Sequence, residues 1–215
     1  GLIRWQNGRA ERLDSTTGLG ANSVRALFEA RDGVLWIALA GPVVHRISNG
    51  AIETLIPGGD LDASTISAFA QTPDGRVWAA SNAHGLYLVE GKRFTRVGGD
   101  GALPSSLISA LIVDSRGALW IGTADRGLYR MRDDRFEPFG VAHGLPDPVV
   151  ALMLEDRRGD LWVSTSRGIS RLLRDRIEAV ASGASATLDP IVLGTADGMR
   201  STEGSGGGFD PSGLV

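Results

Sequence analysis

Three histidines, His45, His84 and His143, are the side chains best suited to move a proton or hold a metal near neutral pH, and the chain has no cysteine. No two of them stand three or four residues apart, and none follows a Glu-x-x spacing. A zinc site is therefore not encoded, nor is a cysteine nucleophile. The serines lack a Gly-x-Ser-x-Gly elbow, and the Glu203–Gly208 run has no lysine after it to cradle a phosphate. No paired acid and base stand out, so neither a catalytic residue nor a cofactor is expected. What remains is recognition. Asn82, His84, Asp125, Arg126, His143 and Arg167 are the candidate ligand contacts, with Asn22 and Ser166 beside them. Two guanidiniums converging from Arg126 and Arg167 would suit a carboxylate, sulfate or phosphate group. The bland reading is that both are ordinary surface arginines.

These residues must be positioned by something, and the positioning element is a repeat. Trp36, Trp78, Trp120 and Trp162 stand 42 residues apart. A glycine precedes each by three positions (Gly33, Gly75, Gly117, Gly159) and an aliphatic residue by one (Leu35, Val77, Leu119, Leu161). Glu11, Glu53, Thr95 and Glu137 keep the same 42-residue spacing, and Glu178 follows after 41. Trp5 stands outside the tryptophan series, in the slot of Ile47, Val89 and Met131.

Each repeat holds four short apolar runs separated by turn residues, which read as strands rather than helices. In the first full repeat they are expected near Val24–Glu29, Val34–Ala38, Val43–Ile47 and Ala51–Leu55. Asp32-Gly33 and Asp74-Gly75 mark one hairpin, Asn7-Gly8 and Asn49-Gly50 another. A four-stranded meander at this period is a propeller blade, so the fold class is an all-β β-propeller. The tryptophans are expected to pack between blades. Arg9–Leu13 and Arg176–Val180, alternating and charged, read as outer rim strands. Residues 1–180 read as propeller repeats: four full blades plus the outer strands of a preceding one. Residues 181–215 read as an irregular Gly-rich tail leading to a further blade, and the blades as an open arc. The loops from second to third strand and between blades share one end of each blade and vary in sequence. The candidate contacts lie there, whereas the hairpin end looks tight and uniform.

Composition bounds the function. The net charge is −3, with 22 basic and 25 acidic residues well mixed, so no nucleic-acid footprint exists. No stretch has the length and apolarity of a membrane span.

The repeat resembles the two-component regulator propeller. That family's pattern runs from Gly-Leu-Pro through a Val-x-x-Leu strand to Asp-Gly-x-Leu-Trp-Ile-Gly-Thr and a closing Gly-Leu. Asp114–Leu128 matches almost throughout, and Gly144-Leu145-Pro146 precedes Val150 and Trp162. The second repeat departs most, with Ala79-Ala80-Ser81 in place of Ile-Gly-Thr. The resemblance implies a propeller of about seven blades. It also implies a periplasmic, ligand-sensing part of a membrane-anchored bacterial receptor, dimeric when whole, whose histidine kinase or cyclase lies outside this chain. The expected partner is a small-molecule or oligosaccharide ligand, with an anionic group to match the arginines. The alternatives are a propeller-scaffold lyase or hydrolase acting on a glycan or cyclic peptide, and a pure protein-interaction propeller.

Overall fold

A computed structural model describes residues 1–41, 43–58, 61–98 and 101–201. The chain divides into two compact units, 1–98 and 99–215. The Gly-rich run 204–208 lies outside the described residues.

The first unit is built from antiparallel meanders. β1 (Leu2–Gln6) and β2 (Arg9–Leu13) form a two-stranded sheet. β3 (Val24–Glu29), β4 (Leu35–Leu39), β5 (Val44–Ser48) and β6 (Ala51–Leu55) form a four-stranded sheet in chain order. β7 (Ile66–Gln71), β8 (Val77–Ser81), β9 (Gly85–Glu90) and β10 (Arg93–Val97) repeat it. The expected strands of the first full repeat stand within one residue of these bounds. The turn chemistry explains the register: Asn7 and Asn49 take φ of 53° and 50°, each followed by a glycine near 75°, as a two-residue primed hairpin requires.

Trp36 packs against the next sheet, its ring 6.0 Å from that of Phe69. Around them Ala38, Val44, Leu55, Val77, Ala79 and Val89 are buried in one cluster. The alternation of β4 sends Leu35, Ile37 and Leu39 to the opposite face, where Leu19, Leu2 and Leu13 meet them. Trp5 is exposed, consistent with its place outside the tryptophan series.

The second unit holds β11 (Ile108–Val113), β12 (Leu119–Thr123), β13 (Leu128–Arg132) and β14 (Arg135–Phe139) as one sheet. β15 (Leu152–Glu155), β16 (Leu161–Thr165) and β17 (Gly168–Leu172) begin the next. Here one reading needs correction. Arg176–Val180 is not a rim strand: it lies within helix α1 (Arg174–Ala181). The fourth strand is β18 (Ile191–Leu193), inside the segment read as irregular tail, and it pairs with β17 through Ile169↔Leu193.

The turns on either side give the reason. Gly140–Leu145 and Gly194–Met199 are the same structure, a single 3-10 turn closed by a left-handed glycine, Gly144 at φ 85° and Gly198 at φ 96°. They stand 54 residues apart (194 − 140), 12 more than one period. The helical segment is thus an insertion between the third and fourth strands. The alternating pattern of 176–180 buries Ile177 as one helical contact rather than as one face of a strand.

Candidate functional site

One residue per blade holds each candidate loop. The last residue of the second strand is Ser81, Thr123 or Thr165. Ser81 Oγ accepts the backbone N–H of Ala83 (3.1 Å) and of His84 (2.9 Å). Thr123 Oγ1 accepts the N–H of Arg126 at 2.9 Å and donates to Gly127 O at 2.9 Å. Thr165 Oγ1 does the same with Arg167 N–H and Gly168 O, both at 3.1 Å. A buried hydroxyl that both accepts and donates satisfies the turn internally and leaves the loop's side chains free to face solvent.

In the first unit Asn82 is exposed and anchored by its own N–H to Thr65 O at 2.9 Å, and His84 is half-buried. Asn22 accepts from Ser15 N–H at 3.0 Å and belongs to the turn before β3. In the second unit Arg126 lies 3.6 Å from Asp125, and Arg167 lies 3.8 Å from Asp147. Both arginines are well exposed, so each pair contributes only ~0–1 kcal/mol and a ligand anion can displace it. The two carboxylates have second duties. Ser105 Oγ donates to Asp125, and Ser166 Oγ donates to Asp147, which also takes Val149 N–H at 2.7 Å. Ser105 and Asp147 are one period apart, so the serine and the aspartate exchange places between successive blades. Each pair ties the loop before a blade's first strand to the loop after its second. Asp147 escaped the reading of the sequence; its signal was this 42-residue exchange. Tyr129 was missed too. Burial raises its pKa, Arg126 lowers it and Asp125 raises it, so its phenol stands in the field of that pair.

His143 is brought to a different task. Its Nδ1 accepts Gly140 N–H at 3.2 Å, closing the 3-10 turn, and its ring lies 6.3 Å from Phe139. The same place in the later turn is held by Asp197, whose carboxylate accepts Gly194 N–H at 2.9 Å. His143 thus does the work of a turn cap.

The other repeating chemistry sits around the tryptophans. Trp120 and Trp162 donate their indole N–H to Asp114 and Asp156, each at 2.9 Å. Trp78 donates to Thr72 Oγ1 at 3.0 Å. Ala30 holds that slot in the first full repeat, and Trp36 Nε1 is buried without an acceptor. Asp156 is therefore not merely a solvated turn charge. Burial alone would raise its pKa, but Trp162, two backbone N–H groups and Arg171 outweigh that and hold it below the usual value. Opposite three of the tryptophans stands an arginine, giving Trp36↔Arg46, Trp120↔Arg130 and Trp162↔Arg171, with guanidinium carbons 5.5–5.7 Å from the rings. Arg46 and Arg130 in turn face Glu53 and Glu137 across the next pair of strands. Where Leu88 replaces the arginine, Thr95 replaces the glutamate. Arg171 instead pairs with Asp160 at 2.6 Å, because Glu178 has left the rim on α1. Glu178 reaches Arg130 at 2.8 Å and Arg116 at 3.3 Å. Burial would lower the pKa of Arg130, but its bonds to Glu137 and Glu178 hold it above the ordinary value.

These features coincide with what the chain is similar to. The two component regulator propeller family matches residues 18–41, 102–125 and 144–167, so the chain carries repeats of that family. Among solved structures, the extracellular domain of a one component system from B. thetaiotaomicron superposes with a TM-score of 0.68 at 18% identity, over 90% of this chain and 29% of that one. The extracellular domain of a hybrid two component system from B. thetaiotaomicron gives 0.60 at 16%, over 98% and 34%. Virginiamycin B lyase from Staphylococcus aureus gives 0.58 at 18%, over 71% and 53%. The chain thus spans about a third of the first two and about half of the third, and the likeness shows a shared propeller fold. No curated protein matches the chain. Among the described residues no helix is long and apolar enough to cross a membrane, and no group of three metal-ligating side chains occurs.

Proposed function

We propose that this chain is a ligand-sensing propeller segment of an extracytoplasmic, two-component type receptor, acting by binding rather than by turnover. The three matched two-component repeats carry the reading. The recognition end of the second unit is the one bearing Asp125, Arg126 and Arg167, on loops held by Thr123 and Thr165; Asn82 and His84 occupy the like loop of the first. The weak, exposed arginine pairs favour an anionic small molecule or an acidic oligosaccharide, since only a charge already loosely held is free to change partners. Thermal-shift and calorimetric titration against a panel of neutral sugars, uronate- or sulfate-bearing oligosaccharides and small carboxylates tests this. An anionic member should bind, and the Arg126→Ala plus Arg167→Ala double variant should lose at least tenfold in affinity. Its unliganded melting should be nearly unchanged, because surface changes are usually worth within ~0.5 kcal/mol. Undiminished binding by the double variant would remove the site. Mass-spectrometric product formation from any bound member would favour the enzyme reading that the lyase's shared fold suggests.

A further inference from the structure

In the second unit two segments carry the pattern of a fourth strand, and β17 has one edge to offer them. Arg176-Ile177-Glu178-Ala179-Val180 repeats Arg135-Phe136-Glu137-Pro138-Phe139 of β14 at a distance of 41 residues (176 − 135). Glu178 keeps the slot from which Glu53 meets Arg46 and Glu137 meets Arg130; the matching arginine of this sheet is Arg171. Yet the edge is held by β18, and the hold is short. It makes three residue pairs, from Ile169↔Leu193 to Arg171↔Ile191, where β2, β6, β10 and β14 each make five. The helix that carries the displaced segment is short too. α1 has eight residues, its N-cap Leu173 makes no side-chain hydrogen bond, and its last turn has no basic residue. A helix of that length is marginal by itself, and neither end adds to it.

We infer that α1 and β18 form a strand-exchange switch, in which residues 176–180 leave the helix, take the edge of β17 and release residues 191–193. The pairing of β13 with β14 gives the register: Leu172↔Ile177, Arg171↔Glu178, Ser170↔Ala179 and Ile169↔Val180, with Val180 in the place of Leu193 as Phe139 stands beside Leu128. Both states satisfy the same side chains with different partners. In the helical state Ile177 packs with Trp120, Leu161 and Leu172, and Glu178 holds Arg116 and Arg130. In the exchanged state Glu178 meets Arg171, Arg130 keeps Glu137, and Arg116 loses its carboxylate, so this end of the unit becomes more positive. The turn decides which state dominates. The hairpins at this place elsewhere use Asn7-Gly8, Asn49-Gly50 and Asp133-Asp134, all at positive φ. Exchange asks the same of Arg174-Asp175, and arginine enters the left-handed region at a cost. Arg174 also bonds Gly159 O and Glu155 in the helical state. The helix is therefore favoured, by a margin set in two turn residues. This inference does not rest on the sensing function.

The chain has no cysteine, so introduced thiols report the occupant of the edge. Ser170→Cys with Val192→Cys joins cross-strand neighbours of the helical state, and Ser170→Cys with Ala179→Cys those of the exchanged state. Directly opposed residues suit a disulfide. Each whole chain is equilibrated in a glutathione buffer, and the crosslink is located by peptide mass spectrometry. The 170–192 crosslink is expected to dominate. Arg174→Asn with Asp175→Gly, which installs the turn of Asn7-Gly8, should raise the oxidised-to-reduced ratio of the 170–179 pair at least tenfold. Without the introduced thiols, the same turn substitutions should speed hydrogen exchange at residues 191–193 and leave β16 protected. Arg174→Gln with Asp175→Ala removes the same side-chain contacts but favours helix, and should leave the 170–179 ratio at the parent's level. A ratio unmoved by the turn substitutions, or raised equally by the helix-favouring pair, overturns the inference. Loss of protection in β16 as well overturns it too, because the segment then unfolds rather than exchanges.

Discussion

At the residue scale the repeat makes its own controls. Trp78 reaches Thr72 Oγ1, which also holds Asp74 Oδ1 at 2.6 Å, whereas Trp36 faces Ala30 with Asp32 already in the place of Asp74. Ala30→Thr should therefore transplant an existing arrangement and stabilise the first unit by about 1 kcal/mol, the usual net value of a buried hydrogen bond. Urea midpoints of the two proteins check it, and a lower midpoint for the variant would mean that the site cannot take the extra methyl and hydroxyl. Asp114→Ala runs the other way, removing the acceptor of Trp120 Nε1 and of two backbone N–H groups, Arg116 and Ala118, at an expected cost of ~1–3 kcal/mol. His45 supplies a pH dependence. It is buried, its Nε2 accepts Gly20 N–H at 3.0 Å, and Thr54 Oγ1 lies 3.1 Å from Nδ1. Burial lowers its pKa from 6.5. The unfolded chain then binds more protons than the folded one, so the stabilisation is full above about pH 6.5 and declines as pH falls below it. Urea midpoints between pH 7.5 and 5.5 should fall in the parent and flatten in His45→Gln. The depressed carboxylates of Asp74 and Asp156 act lower, losing their contribution only as pH drops beneath the usual carboxylate range.

At the scale of elements, α1 departs from the meander, and two unlike contacts among those that hold it can be weighed against each other. Ile177 is buried with Trp120, Leu161 and Leu172, and Glu178 collects Arg116 and Arg130. The apolar contact should dominate, because Glu178 is partly exposed and screened while Ile177 leaves a cavity when shortened. Ile177→Ala is expected to cost ~2–4 kcal/mol in guanidinium melts, and Glu178→Gln under ~1.5 kcal/mol. A larger loss for the glutamine variant would show that Arg130, nearly buried, cannot do without that carboxylate. The hairpin end of the second unit, uniform in the sequence reading, thus carries the inserted helix, whose Arg174 spans from Gly159 O to Glu155, both at 3.4 Å.

At the scale of the whole molecule, a net charge of −3 spread among 22 Lys and Arg and 25 Asp and Glu residues leaves no broad basic field. Fluorescence anisotropy should show no binding of duplex DNA at 150 mM salt, since counterion release needs clustered cations. Submicromolar binding there would contradict the mixed-charge reading. The period of 42 residues, the tryptophan slot and the turn glycines were legible in the chain alone, because a blade is a local structure: each strand pairs with its sequence neighbour, so composition and turn chemistry set the register within one repeat. The threonines that end the second strands of the second unit, Thr123 and Thr165, were visible as part of a motif, but their role in holding Arg126 and Arg167 was not. What the tertiary structure decided lies beyond one repeat's reach. Arg176–Val180 alternates as a rim strand would, yet its insertion lets a later segment, Ile191–Leu193, take the strand's place while Ile177 finds a core built jointly by its own sheet and the preceding one. Five alternating residues fit two geometries equally well, and only the competition between segments for a single strand edge separates them.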